Sequence, residues 1–397
     1  MIAVMLVAAK LFGALAQRIG QPAVLGELIA GVVVGGSVLG LVNPHVETIE
    51  MLSHLGVVVL LLVIGLETDL KAMMSVGVTA LVVAVVGVAL PFGFGYLACH
   101  LMGLPVLVSI MAGAALTATS VGITARVLSD LGRLQSPEGQ VILGAAVIDD
   151  ILGLVILTVV AGMVDGGEAT VGGVAWTTAK AFGFLIVTLA VGFLVTPRLV
   201  RLARKVDLPG TPTILAMILA LGLAWLAEES GSAAIIGAFV AGVLLRKTSW
   251  FHEIETGVVT LGHFFVPLFF VHVGALVELG AMNPMTEDGR WAIVIGSVLI
   301  VVGVFGKLAA GYAPFWFRGN KTVVGVGMIP RGEVGLIFAQ IGLQKGVFDS
   351  GIFGGVTLMV IFTTFLAPPI LKALLSKSSG PTDRTERDAI ENLVTEA

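Results

Sequence analysis

The chain has 397 residues, of which 57% are hydrophobic and only 12% are charged, and its formal net charge is −4. Soluble proteins average about 25% charged residues, so this composition excludes an ordinary soluble domain and indicates many membrane-spanning helices. Nothing in the charge suggests a nucleic-acid partner, and one cysteine, Cys99, excludes a disulfide framework. The first apolar stretch lacks a basic leader and a small-residue cleavage site, so we expect a helix of the mature protein there.

Apolar stretches separated by glycine, proline and charged residues predict about thirteen membrane-spanning helices. These segments are centred on residues 1–18, 22–41, 50–66, 73–99, 105–128, 138–163, 174–197, 211–228, 232–246, 255–277, 290–317, 322–344 and 352–375. We number them segments 1 to 13. The polar tail that follows is expected to be solvated.

Loop charges support this count and predict an orientation. The side that carries the loops after odd-numbered segments, together with the tail, has sixteen cations, whereas the other side has only Arg290 and Lys345. The sixteen are Arg18, Lys71, Arg126, Arg133, Arg198, Arg201, Arg204, Lys205, Arg246, Lys247, Arg318, Lys321, Lys372, Lys377, Arg384 and Arg387. Lys and Arg accumulate in short cytoplasmic loops. The prediction is therefore a multi-pass protein of the inner (plasma) membrane, with the N-terminus outside and the C-terminus cytoplasmic.

Three short sequence matches in the same order indicate an internal repeat. The matching stretches are 24–34 with 235–245, 62–70 with 271–279, and 120–123 with 333–336, at offsets between 209 and 213 residues. Each match alone is weak, because small-residue patterns recur in membrane helices for packing reasons. Their common offset shifts the chain by seven segments, an odd number, so the second copy is inverted in the membrane. Inverted repeats are typical of secondary transporters.

Segment 6 contains two adjacent carboxylates, Asp149 and Asp150, near the middle of an apolar helix. A charge at that depth costs at least about 2.5 kcal/mol, and ionisable residues tolerated there usually mark an ion path. Adjacent helical residues point about 100° apart. One carboxylate is therefore expected to reach a partner on a neighbouring helix while the other faces an aqueous funnel. The alternative is that both are protonated and structural.

Segments 5 and 12 are predicted to be broken in mid-membrane. Segment 5 carries Thr119 and Ser120 in a run rich in hydroxyls and glycine, and segment 12 carries Pro330, Arg331 and Glu333 between glycines. Freed backbone groups at membrane depth are tolerated only where they are buried in protein or line a cavity. The alternative for segment 5 is that its hydroxyls bond back to their own helix.

Charged side chains are expected to compensate the half-helix dipoles at these breaks. Glu333 could serve the positive ends, and Arg331 or Lys307 of segment 11 the negative ends. Alternatively, Arg331 and Glu333 only compensate each other or the dipoles without touching a substrate. Lys10 and Lys180, also inside apolar segments, are explained by snorkelling or helix contacts.

These features together resemble the second group of monovalent cation:proton antiporters, the bacterial sodium/proton exchangers. The resemblance rests on the stretches 119–126, 145–150 and 330–336 and on Lys307, and it covers essentially the whole chain. It implies a homodimer with a scaffold, a mobile core and a linker. The implied boundaries are scaffold 1–72 and 206–280, core 73–163 and 281–376, linker 164–205, and cytoplasmic tail 377–397.

The resemblance also implies residue roles. Asp150 would bind the ion, with Thr119 and Ser120 close to it, and Asp149 would form a salt bridge with Lys307. Na⁺ and Li⁺ are hard cations that suit carboxylate, hydroxyl and carbonyl oxygen, and one carboxylate that binds either Na⁺ or H⁺ couples the two fluxes. The acidic pair resembles the electrogenic exchangers of the family. A K⁺/H⁺ antiporter of the same family is the alternative, disfavoured because no large nucleotide-sensing domain is expected after segment 13.

Other classes fit the sequence less well. An intramembrane aspartyl protease needs its two aspartates on separate helices, facing each other, whereas here they are contiguous. A passive channel would not need an Asp–Lys pair, and an organic-anion carrier would not need two carboxylates. We therefore predict a transporter rather than an enzyme, moving Na⁺ or Li⁺ against H⁺ through the lipid bilayer without a cofactor.

Overall fold

The computed structural model describes residues 1–164, 171–205, 208–230, 232–277 and 279–377, and these ranges contain helices and no strand. The first eight helices are α1 (Ile2–Arg18), α2 (Ala23–Val34), α3 (Glu47–Glu67), α4 (Leu70–Ser75), α5 (Gly77–Leu101), α6 (Val106–Ala115), α7 (Val121–Asp130) and α8 (Pro137–Val164). The next eight are α9 (Val171–Ala203), α10 (Thr211–Glu229), α11 (Ala234–Arg246), α12 (Phe251–Ala275), α13 (Glu287–Tyr312), α14 (Lys321–Gly327), α15 (Glu333–Gln344) and α16 (Ser350–Lys377). Part of the predicted linker, 165–170, and the tail after 377 lie outside the described residues.

The all-helical membrane architecture is confirmed. Eight helices of the described ranges are long and apolar enough to cross a membrane by themselves, since a span needs about 20 apolar residues. Helices occupy every predicted segment, and the pairs α6/α7 and α14/α15 occupy the two segments that were predicted to be broken. The count of thirteen crossings stays a prediction.

Several helix ends differ from the predicted ones for local reasons. Helix α2 ends early, because a glycine-rich stretch follows it that includes Gly40 with φ at 64°. Helix α13 ends at Tyr312 because Pro314 follows closely, and proline cannot continue the helical hydrogen bonds. The short helix α4 was not predicted; its start is capped by the Asp69 carboxylate, which accepts hydrogen bonds from two backbone amides.

The helices pack in two groups that both follow the internal repeat. In the first group, α2 packs against α1 and α12, and its repeat mate α11 packs against α10 and α3. In the second group, α5 packs against α6 and α8, its counterpart α13 packs against α14 and α16, and α5 and α13 contact each other. Helix α9 contacts α8, α10 and α11, so it touches both groups.

Two close crossings show the repeat in atomic detail. A Cβ built on Gly31 would collide with the carbonyl oxygen of Val271 on α12, and one built on Gly242 would collide with the carbonyl oxygen of Leu62 on α3. Gly31 corresponds to Gly242, and Leu62 to Val271, in the two sequence matches. Glycine at both crossings lets the helix backbones touch, as small residues do in membrane proteins. The predicted two-repeat architecture is therefore confirmed, and the same contact is built twice.

Candidate functional site

Two non-helical segments cross at the centre of the second helix group. Residues 116–120 connect α6 to α7, and residues 328–332 connect α14 to α15. The amide of Ser120 donates a hydrogen bond of 2.8 Å to the carbonyl oxygen of Pro330. Backbone groups that the two breaks leave without helical hydrogen bonds therefore bond partly to each other. Irregular backbone at membrane depth is tolerated when its polar groups are satisfied within the protein in this way.

Threonine hydroxyls extend this crossing. Thr119 donates to the carbonyl oxygen of Met328 at 3.1 Å, and Thr124 on α7 donates to that of Gly327 at 2.7 Å. Thr117, by contrast, donates back to a carbonyl of α6 at 2.7 Å. Bonding back to the same helix thus holds for Thr117, while Thr119 and Thr124 tie one broken segment to the other.

Arg331 is a fully buried cation at the crossing. Its Nη1 donates to the carbonyl oxygens of Ala118 at 3.1 Å and Thr117 at 3.4 Å, just beyond the C-terminal end of α6. The carbonyl oxygen of Arg331 accepts a hydrogen bond from the hydroxyl of Thr364 on α16. A cation at this place stabilises the negative, C-terminal end of the α6 dipole. The side chain of Glu333 lies outside the described part of the chain, so its role in charge compensation stays a prediction.

Asp149 of α8 connects the crossing to Lys307 of α13. Its Oδ2 accepts a hydrogen bond of 2.7 Å from the amide of Thr119, and its Oδ1 and Oδ2 lie 3.1 and 3.2 Å from Lys307 Nζ. Both side chains are 0% exposed. Two charges tolerate such burial only when they are paired and also hydrogen-bonded. Sequence reasoning joined Asp149 to Lys307 but missed the amide of Thr119, a donor that the break frees beside the start of α7.

The ammonium of Lys307 fits against a glycine that the sequence analysis did not single out. A Cβ added at Gly87 on α5 would lie 3.3 Å from Lys307 Nζ. A larger residue there would push the lysine away from Asp149. One sequence offers no signal for this role, because Gly87 is one glycine among many in apolar segments.

Asp150 has different surroundings from its neighbour. Its side chain is 4% exposed and lines a cavity of about 10 Å³. The cavity is also lined by Leu61 of α3, Val121 of α7, Leu143 and Val147 of α8, and Ile235, Ile236 and Phe239 of α11. Such a volume holds about one water molecule. The expected aqueous funnel is therefore wrong for this conformation, because apolar side chains of α3 and α11 cover the carboxylate.

The other predicted ion ligands lie at the break beside these two carboxylates. Thr119 bonds to Asp149 through its amide. Ser120 is buried and packs so closely on Gly332 that a Cβ at Gly332 would lie 2.7 Å from Ser120 Oγ. Val121, the next residue, lines the cavity beside Asp150. The structure thus brings the predicted residues together, and their role as ion ligands stays a prediction.

A second polar group between α2, α3 and α7 was not predicted. Arg126 Nε lies 2.9 Å from Asp130 Oδ1, and the hydroxyl of Ser129 donates to Glu67 Oε2 at 3.1 Å. Glu27 on α2 is 5% exposed, and its Oε2 has no hydrogen-bond partner among the described residues. An acidic residue inside apolar segment 2 was a signal that could have directed attention to this place.

An all-helical membrane protein with inverted repeats, two crossed broken segments and buried carboxylates beside them has the architecture of a secondary transporter. Residues 4–377 match the sequence family described as sodium/hydrogen exchanger, transmembrane. The chain belongs to this family, and its resemblance to cation:proton antiporters is confirmed.

Individual relatives agree with this assignment. The chain is 39% identical to the high-affinity Na(+)/H(+) antiporter NhaS3 of Synechocystis sp. (strain ATCC 27184 / PCC 6803 / Kazusa), over 92% of this chain and 87% of that protein. It is 32% identical to a Na(+)/H(+) antiporter of Enterococcus hirae, over 94% and 96% of the two chains. The solved structure of the sodium proton antiporter MjNhaP1 from Methanocaldococcus jannaschii at pH 8 is similar in fold, with a TM-score of 0.69, 16% identity, and coverage of 94% of this chain and 95% of that chain.

The buried Asp149–Lys307 pair predicts a stability difference between single and double variants. Lys307→Met should lower the free energy of unfolding by about 3–5 kcal/mol, because it leaves a buried carboxylate without its cation. Adding Asp149→Asn should restore much of the loss, since the amide oxygen still accepts from Thr119. Unfolding of the purified protein in detergent, followed against temperature or denaturant, measures both. Equal instability of the single and double variants would show that the charge pair is not what holds α8 to α13.

Proposed function

We propose that this protein exchanges Na⁺ for H⁺ across the membrane and that Asp150 carries both ions in turn. Membership of the sodium/hydrogen exchanger family supports the substrates, as do relatives whose names describe Na(+)/H(+) antiporters. The observation that carries the proposal is the different setting of the two aspartates. Asp149 is held inside one helix group by Lys307, whereas Asp150 lies where α7 and α8 meet α3 and α11 of the other group.

Competition for one carboxylate would couple the two ion movements. Ionised Asp150 offers hard oxygen ligands to Na⁺, with Thr119 and Ser120 as the proposed further ligands, while protonated Asp150 is neutral and binds no cation. A bare carboxylate is costly to carry through apolar surroundings. The site would therefore cross the membrane loaded with either ion but not empty, and this is the condition for exchange rather than leakage.

Lys307 is the proposed source of a second proton in each cycle. Its ammonium contacts Asp149 at 3.1 Å. Release of the lysine proton would free Asp149 as Na⁺ enters, and the return of that proton would restore the pair. With one proton from Asp150 and one from Lys307 exchanged for each Na⁺, transport is electrogenic. An ammonium can take this part, whereas a guanidinium keeps its proton.

The proposed movement is that of a core against a scaffold. The core would comprise α5–α8 and α13–α16, and the scaffold α1–α3 and α10–α12, with α9 linking them. The support is that α9 contacts helices of both groups and that the surface facing Asp150 is apolar, built from Leu61, Ile235 and Phe239 among others. A largely apolar surface lets one body slide over the other with few directional bonds to break.

Two further features of the proposal rest on the loop charges and on the family resemblance. The chain would span the plasma membrane, with its N-terminus outside the cell and its C-terminus in the cytoplasm. It would also form a homodimer through the scaffold helices. Labelling of Ser249→Cys in whole cells by an impermeant thiol reagent tests the orientation, since rapid labelling from outside would contradict it. Native mass measurement in mild detergent tests the dimer, and a protein of monomer mass under all conditions would contradict it.

The first test concerns Asp150. Asp150→Asn should abolish Na⁺-driven proton movement in liposomes, because an amide cannot exchange a cation for a proton, and the variant should remain folded. Asp288→Asn, which changes an exposed aspartate in the first turn of α13, is the matched control and should transport normally. The same assay with Li⁺ and K⁺ ranks the cations and tests the K⁺/H⁺ alternative. Exchange at the native rate by Asp150→Asn would remove the basis of the proposal.

The second test concerns the moving core. In a Cys99→Ala background, Glu67→Cys on α3 and Ser129→Cys on α7 replace two side chains that are in direct contact. A short reducible thiol crosslinker between them should stop transport, and reduction should restore it. The control pair Tyr312→Cys and Thr322→Cys joins α13 to α14 within the proposed core, where the two native hydroxyls are 2.6 Å apart, and should have little effect. Full-speed exchange by the crosslinked Glu67/Ser129 pair would exclude movement of α7 past α3.

The third test separates the two proposed protons. Lys307→Arg keeps a cation beside Asp149 but cannot release a proton at any usable pH, so Na⁺/H⁺ exchange should become electroneutral. The membrane potential generated in liposomes and the thermal unfolding midpoint are measured together, so that a folding defect is recognised. A potential as large as that of the native protein would show that Lys307 is not the second proton carrier.

A further inference from the structure

A pocket rich in cations lies at the C-terminal ends of α9 and α11, on the side of the membrane that carries most loop charges. Its volume is about 200 Å³. It is lined by Pro197, Val200, Arg201, Arg204, Lys247, Thr248 and Ser249. Three cations and the hydroxyl of Ser249 in one small cavity form a set of hydrogen-bond donors suited to an oxyanion. The hydroxyl of Thr248 donates to the carbonyl oxygen of Leu245 at 2.7 Å.

The pocket's cations are positioned by neighbouring side chains. Arg204 donates from Nη2 to the hydroxyl of Ser249 at 2.7 Å, and its guanidinium lies 5.6 Å from the ring centre of Trp250. Lys247 Nζ lies 4.7 Å from the ring centre of Phe193. Cations over aromatic faces are held without an anion, so their charge remains available to a ligand.

The cations of this pocket have no acidic partner within the ranges that the structure describes. Arg201, Arg204 and Lys247 form none of the salt bridges found there. Three like charges in one cavity repel each other. A bound anion would remove this repulsion and gain direct hydrogen bonds from the guanidinium groups.

The surface that leads to the pocket is apolar. Helix α9 has 33 residues, and on it Leu194 and Leu202 are 65% and 62% exposed. A helix of that length is about 50 Å long, which exceeds the roughly 30 Å hydrocarbon core and puts its last turn at the level of the lipid headgroups. A pocket lined by cations at this level would border the lipid tails that surround α9.

We infer that this pocket binds the phosphate of an anionic phospholipid whose acyl chains lie along α9. Arg201, Arg204 and Lys247 would donate to the phosphate oxygens, with Thr248 and Ser249 at the rim. Basic pockets between membrane helices are suited to anionic headgroups. Because α9 contacts both helix groups, a lipid bound here holds the end of α9 to the turn between α11 and α12. The inference does not depend on which ion the protein exchanges.

The test measures lipid binding directly. Purified protein, stripped of lipid, is titrated with phosphatidylglycerol, phosphatidylcholine or inorganic phosphate, and both the thermal midpoint and the lipid retained in native mass spectra are recorded. Phosphatidylglycerol should raise the midpoint and remain bound, whereas the other two should do neither. The variant with Arg201→Gln, Arg204→Gln and Lys247→Gln should bind phosphatidylglycerol at least about tenfold more weakly, because a lost charge-assisted hydrogen bond is worth about 1.5 kcal/mol or more.

A variant with the same loss of charge elsewhere on that side is the control. Arg18→Gln, Lys71→Gln and Arg318→Gln change three exposed cations away from the pocket, and this variant should bind as the native chain does. Equal loss in both variants would mean general charge attraction and overturn the inference. If inorganic phosphate raised the midpoint as much as phosphatidylglycerol does, the acyl chains would not contribute to binding, and the inference would be overturned. An equal effect of phosphatidylcholine would overturn it too, because the net negative charge of the lipid would not matter.

A further measurement covers the case in which the triple variant does not fold. Lys247→Gln alone leaves Arg204 and its contact with Ser249 in place, and it should still bind phosphatidylglycerol more weakly than the native chain does. Unchanged binding by Lys247→Gln would overturn the inference. A different result would be that the variants lower the thermal midpoint only because the dimer dissociates, with no lipid retained by the native chain. That result would assign the pocket to a protein interface and would also overturn the inference.

Discussion

The burial of Asp149 between Lys307 and the amide of Thr119 is the constraint on which the rest of the structure depends. Neither side chain is exposed, so replacing one of them by an apolar residue would leave the other as an unpaired ion in an apolar interior. The three groups belong to α8, α13 and the break before α7. The pair therefore joins these three parts of the chain to one another.

Helical geometry places the second carboxylate, Asp150, outside this buried pair. Because Asp150 follows Asp149 directly, it points about 100° away from it, toward a cavity that apolar residues of α3 and α11 also line. Asp149 is bonded inside one helix group, whereas Asp150 lies at the boundary with the other group.

Much of the fold and of the candidate site could be predicted from the sequence, because the residues that indicate each feature lie close together in the chain. Two carboxylates in an apolar helix, a proline beside Arg331, and matched glycines such as Gly31 and Gly242 each indicate one physical requirement. The bond from the amide of Thr119 to Asp149 could not be predicted, since every residue type except proline supplies a backbone amide donor. The apolar cover over Asp150 was also missed, because it depends on how the two helix groups are placed in this conformation.

The two repeats share their helix arrangement but not their charged residues. This difference explains why one ion path is expected rather than two. At the 213-residue offset of the match between 120–123 and 333–336, the aspartate pair corresponds to Phe362 and Thr363 on α16, neither of which ionises. Arg331 corresponds to Ala118 and donates a hydrogen bond to the carbonyl oxygen of that same alanine. The second repeat therefore contributes the cation that neutralises the end of a half-helix in the first, while the first contributes the aspartates. Two equal carboxylate pairs around one crossing would repel each other at low dielectric, so the crossing can be shared by both repeats only when their charges differ.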